Sequence, residues 1–70
     1  MNARIPSQKL DKLYALFSAN QLEALERAAR DCTRRHPAAA AGWQMLGASF
    51  LARWREQDAL PHLQHAARLA

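Results

Sequence analysis

Three groups of side chains in this 70-residue chain are of a kind that does chemistry. His62 and His65 stand three positions apart, which puts two imidazoles on one face of a helix. Two imidazoles can begin a metal site, but further thiolate, imidazole or carboxylate ligands complete one. None is suitably placed near them in sequence. Cys32 is followed one helical turn later by His36, the pairing that a thiolate nucleophile and its base require. Cys32 falls on an apolar stripe, however, where a thiol is inert packing, and no third group is there to orient His36. Arg27, Arg30, Arg34 and Arg35 share much of one helical face and could meet phosphates. Glu23, Glu26 and Asp31 interrupt that face, so a solvated surface is expected. No aromatic residue interleaves with the arginines to give single-stranded bases a stacking platform. These groups imply no catalytic residue, no metal and no cofactor, and the chain is expected not to be an enzyme.

Composition narrows the fold. Valine is absent, isoleucine occurs once, and only Gly42 and Gly47 supply glycine, which argues against a sheet. Half the residues are apolar and many of these are alanine, a strong helix former that builds thin cores. A chain of this size buries only about 60% of its unfolded surface, so its stability is marginal. Ten basic residues against six acidic ones give a net charge of +4, which favours anionic partners somewhat. A single cysteine excludes an internal disulfide and fits a reducing cytoplasm. The opening residues Met1 to Pro6 contain no apolar h-region. No apolar run approaches the ~20 residues of a membrane span.

Four helices must position whatever function there is. Residues 1–6 read as a disordered lead and Ser7 as an N-cap. Leu10, Leu13, Tyr14 and Phe17 form an i, i+3, i+4, i+7 stripe that Leu16 widens, predicting a first helix from Gln8 to Ser18. Asn20 with Glu23 has the spacing of a capping box for a second helix. Its inner face carries Leu22, Leu25, Ala29 and Cys32, and its acids come early and its bases late, as the helix dipole favours. His36-Pro37 ends it, because the residue before proline is pushed out of helical geometry. Pro37 can open the third helix. There Trp43, Leu46, Gly47, Phe50 and Trp54 share one face, and the helix should end near Arg53 or Trp54. Gly47 costs up to about 1 kcal/mol relative to alanine inside a helix. The expected reason for it is a neighbouring helix crossing where no Cβ stands, with Trp43 and Phe50 on either side. After the polar Arg55 to Asp58, a fourth helix should start with Asp58 as N-cap and Pro61 in its first turn. Leu60, Leu63 and Ala67 would form its stripe, with Ala59 and Ala66 beside it.

The run from Trp43 to Phe50 reads W-x-x-L-G-x-x-F, and Ala59 and Ala66 follow at set distances. This resembles the core of a tetratricopeptide repeat, a unit of about 34 residues. The resemblance implies an all-α fold of four antiparallel helices, stacked as two helix-turn-helix units. Residues 38–70 would be the second unit. Residues 7–37 would be an atypical first unit, with Lys9, Lys12, Leu13 and Leu16 opposite Trp43, Leu46, Gly47 and Phe50. Leu25, Ala29 and Cys32 match Ala59, Leu63 and Ala66 better, and Pro37 sits where the family commonly closes a repeat.

The family's task is holding another polypeptide, on a concave groove lined by the first helix of each unit. By resemblance that groove would comprise Ser7, Leu10, Tyr14 and Phe17 with Gln44, Met45, Ala48 and Leu51, and its guest would be a helix or peptide with apolar anchors. Leu10, Tyr14, Ala41 and Met45 stand where relatives that grip chaperone tails carry lysine and asparagine, which argues against that partner. No third unit follows in the chain. Either it leads a longer bacterial protein, of the kind that carries a glycosyltransferase or sulfotransferase domain, or it self-associates as a homodimer through Leu60, Leu63 and Ala67. A basic nucleic-acid-binding helical domain is the rival class. Trp54 occupies a position that is often glycine in the family, and its packing is left open.

Overall fold

Four α-helices follow one another: α1 (Ser7–Ser18), α2 (Leu22–Arg35), α3 (Ala40–Leu51) and α4 (Glu56–Leu69). They are seen in a computed structural model that describes residues 4–70. No strand occurs among the described residues, so the fold is all-α. No helix among them is long and apolar enough to cross a membrane.

The fold is built around α3. This helix is apolar on almost every side and buries Gly42, Met45, Leu46, Gly47, Ser49 and Phe50, as a helix covered by neighbours must. It packs against α4 most extensively, then against α2, and touches α1 least. The α3–α4 contact is the glycine crossing expected from sequence. A Cβ on Gly47 would lie 2.6 Å from Leu63 Cδ2 and 2.7 Å from its Cγ, so the leucine fills the space a side chain would take. Trp43 and Phe50 flank the crossing and both lie against His62. Gly42 serves α2 in a milder way, with Thr33 Cγ2 and Cys32 Cβ at 3.5 and 3.6 Å from the place of its missing Cβ.

The inner face of α2 is as expected: Leu25, Ala29 and Cys32 are buried, and Leu22 packs against the core. Its ends carry Glu23 in the first turn and Arg34 and Arg35 in the last, and it stops at His36 before Pro37. The two buried hydroxyls turn back onto their own helices. Thr33 Oγ1 donates to the Arg30 carbonyl (2.8 Å) and Ser49 Oγ to the Leu46 carbonyl (2.6 Å). Both satisfy a polar group that would otherwise be costly to bury.

The helix ends differ from expectation in several places. None of the four N-termini has a side-chain cap. Ser7 is already helical and Pro6 precedes it. Asn20 does not cap α2. It ends α1 instead, in the left-handed conformation (φ 60°). Its N–H bonds to the Phe17 carbonyl and that of Gln21 to the Leu16 carbonyl, the paired bonds of a Schellman motif. Pro37 lies in a turn before α3, where its carbonyl accepts the indole N–H of Trp43 at 2.9 Å. Trp54 is off the α3 face altogether, in the turn after it. The fourth helix starts at Glu56, two residues before the expected cap, so Pro61 is its sixth residue; the helix still runs to Leu69. Of the lead over 1–6, residues 1–3 lie outside the described residues. Ile5 is buried, with its Cδ1 3.3 Å from where a Cβ on Gly42 would stand.

Candidate functional site

The surface expected to bind lies on α1 and α3, and these helices place its residues unequally. Tyr14, Phe17 and Leu51 are about half exposed, at 51%, 43% and 48%. Solvent sees three large apolar side chains here in a chain with few of them. Ser7 and Gln44 are exposed as well, while Leu10 and Ala48 are half-buried. Met45 is a correction: it is buried at 8% and belongs to the core. On a helix wrapped by α1, α2 and α4, position 45 turns inward.

Ser7 and Leu10 also line an open cleft that was not legible in the sequence. Ile5 and Pro6 continue its wall on one side, and the short side chains of Ala38 to Ala41 form the other. Alanines leave room where larger residues would close the gap. Leu10, Tyr14 and Phe17 on α1 stand at the same relative positions as Gln44, Ala48 and Leu51 on α3, each pair 34 residues apart in sequence. The chain therefore offers two equivalent outward helix faces, the first more apolar than the second.

The face expected to self-associate divides in two. Leu63 is half-buried over Gly47 and belongs to the α3–α4 contact. The inner stripe of α4 is Ala59, His62, Leu63 and Ala66, which keeps Leu63 of the expected stripe over Gly47 and adds His62. Leu60 (54% exposed) and Ala67 remain outside.

Three of the four arginines along α2 are engaged within the molecule. Arg30 pairs with Glu26 at 3.0 Å, and Arg34 and Arg35 both reach Asp31 at 3.0 Å. The Arg35 guanidinium beside Asp31 holds that carboxyl below its usual range. Cys32 is a buried free thiol, and burial pushes its pKa up, the opposite of what a nucleophile needs.

One cluster escaped sequence reasoning, because its members come from three elements. Arg53, in the turn after α3, donates to Glu26 of α2 at 2.6 Å, with both side chains largely shielded from solvent. The hydrogen bond from Arg53 is the main reason the Glu26 carboxyl sits below its ordinary pKa, and Arg30 adds to it while burial opposes. Arg30, Arg53 and Arg55 all lie over the Phe50 ring, 5.7, 5.2 and 5.0 Å from its centroid. His62 stacks on Phe50 at 5.6 Å, and His65 sets its edge against Trp43 at 4.3 Å. The histidines are thus packed into the α3–α4 contact. Among the described residues no three His, Cys, Asp or Glu side chains gather as metal ligands would.

No protein-family model, curated protein or solved structure matches this chain.

Proposed function

We propose that this chain is a protein-interaction module of tetratricopeptide type, which docks a helix or peptide of another protein on the outward faces of α1 and α3. The observation that carries this reading is the half exposure of Tyr14, Phe17 and Leu51 at positions that recur between the two helices. Aromatic side chains supply much of the energy of binding surfaces, and a helix or strand with apolar anchors is the guest such a surface suits. The tight crossing at Gly47 and the recurrence of helix ends at the family's spacing support the repeat assignment. The ion pairs of Arg30, Arg34 and Arg35 weigh against the nucleic-acid alternative, since phosphates would compete with carboxylates already in place. A buried, free Cys32 accords with work in the reducing cytoplasm.

Selection of displayed peptides on the chain tests this. Amphipathic peptides with apolar anchors are expected, and Tyr14→Glu or Leu51→Glu should abolish their binding without unfolding the protein. Arg30→Ala and Arg34→Ala should leave it nearly intact. Binding that survives both glutamates, or that falls steeply with salt and with the arginine variants, would sink the proposal.

A further inference from the structure

His62 links α4 to both large aromatics of α3. Its ring stacks on Phe50 at 5.6 Å with 15° between planes and faces Trp43 at 6.0 Å and 22°. The charges around it come from every neighbouring element. α2 presents Glu26 and Arg30, and α4 itself presents Asp58 and His65. α3 offers the uncharged rings of Trp43 and Phe50. Arg53 and Arg55 from the turn after α3 lie over that same Phe50 ring. Three guanidinium groups therefore meet two carboxylates, with Glu26 held by Arg30 and Arg53 and Asp58 by Arg55. The cluster already has more positive than negative charge before either histidine takes a proton.

We propose that His62 is a proton-operated latch between α3 and α4. Neutral, its flat ring holds α4 against the aromatic side of α3. Protonated, it loosens α4 and uncovers the apolar surface of α3 around Gly47. The physical reason is charge without hydration. An imidazolium in this half-buried position would lose water and add a cation to an already positive cluster. Phe50, whose ring face could attract it, already serves three guanidinium groups. Apart from its histidines, α4 packs on α3 through Leu63 and Ala59, which do not titrate. Burial, then the charge of Arg30, draws the His62 pKa below its ordinary 6.5. The loosened form therefore takes up a proton at higher pH than the closed form. Closure is complete above that ordinary value and weakens as pH falls through it towards the lower closed-state value.

Amide hydrogen exchange of the whole chain at pH 7.5 and 5.0, corrected for intrinsic rates, is the test. Protection along the second half of α4 is expected to fall roughly tenfold for each unit by which closure depresses the pKa. Protection along α2 should fall much less. His62→Phe keeps a stacking ring that takes no proton and should remove the difference, whereas His65→Phe should retain most of it. Unchanged protection, equal loosening of α2 and α4, or a pH response that persists in His62→Phe overturns the latch. Should His62→Phe not fold, the His62 imidazole can be titrated by NMR in the unaltered protein. A midpoint at or above 6.5 overturns the proposal, and one below it supports it.

Discussion

Asn20 and Trp54, 34 residues apart, share one backbone conformation. Both are left-handed, with φ of 60° and 61°, and each closes a Schellman motif. Trp54 N–H bonds to the Leu51 carbonyl and Arg55 N–H to that of Phe50, repeating the bonds at Phe17 and Leu16. The two helix pairs thus turn in the same way, yet the residues at the turn are not equivalent energetically. Asparagine visits this region readily, whereas a bulky side chain with positive φ is strained. Trp54 bears that strain while leaving its indole 85% exposed.

Trp54→Gly should therefore stabilise the fold. Relief of the left-handed penalty, about 1–2 kcal/mol, outweighs the extra chain entropy of glycine, roughly 0.5–1 kcal/mol. A rise of a few degrees in the thermal midpoint is expected. Asn20→Gly should change it less. A lower midpoint for Trp54→Gly would show that the exposed indole makes a stabilising contact.

Gly47→Ala should destabilise despite alanine's helix preference of about 1 kcal/mol. The new methyl group would stand 2.6 Å from Leu63 Cδ2, and the leucine must shift against a packed helix. Overpacking of this kind costs about 1–3 kcal/mol. Gly42→Ala meets its nearest neighbour at 3.3 Å, the terminal carbon of Ile5, and should be close to neutral. Urea titrations of the two variants separate these outcomes, and equal midpoints would refute the crossing argument.

Arg53→Ala removes a pairing between α2 and the turn after α3, and an expected loss of about 1 kcal/mol follows for a partly shielded ion pair. Arg34→Ala, at a pair whose arginine is 78% exposed, should lose much less. Arg53→Ala also tests the acid limit of the fold. Glu26 titrates below its ordinary 4.5 in the native state, so its contribution is present above that value and disappears as pH falls through the lowered one. NMR titration should find the Glu26 carboxyl moved back up in Arg53→Ala; an unchanged midpoint would mean that Arg30 alone holds it.

Cys32 should react with a thiol reagent at least an order of magnitude more slowly in the native chain than in urea, because it is buried and its thiolate is disfavoured. Equal rates would show that α2 opens freely from α3.

Much of the fold is legible from neighbours along the chain. Helix α2 announces itself through the spacing of Leu22, Leu25, Ala29 and Cys32, through its charge gradient and through His36-Pro37, all of them local signals. The crossing at Gly47 is legible too, since a glycine inside an apolar helical run needs a close neighbour. The outward positions of Tyr14, Phe17 and Leu51 come from the repeat resemblance, since periodicity alone sets Tyr14 and Phe17 on one stripe with the buried Leu13.

Other features depend on elements far apart in sequence. The repeat resemblance sets Met45 on the outward face, but α3 is covered on several sides and buries it. Ile5 sits in a stretch too short to show a pattern, and its burial depends on the space that Gly42 leaves. Asn20 has the chemistry of a cap at either side of a turn, and packing chose the end of α1. Trp54 fits the α3 periodicity, yet the chain leaves the helix before reaching it. The cluster of Glu26, Arg30, Arg53, Phe50 and His62 spans three elements, and no local spacing encodes the meeting of such groups. Apolar periodicity and chain breaks act over a few residues, so they were enough to place the helices and most of their inner faces. Partners, charge clusters and strain arise where those faces meet, and there the tertiary structure was needed.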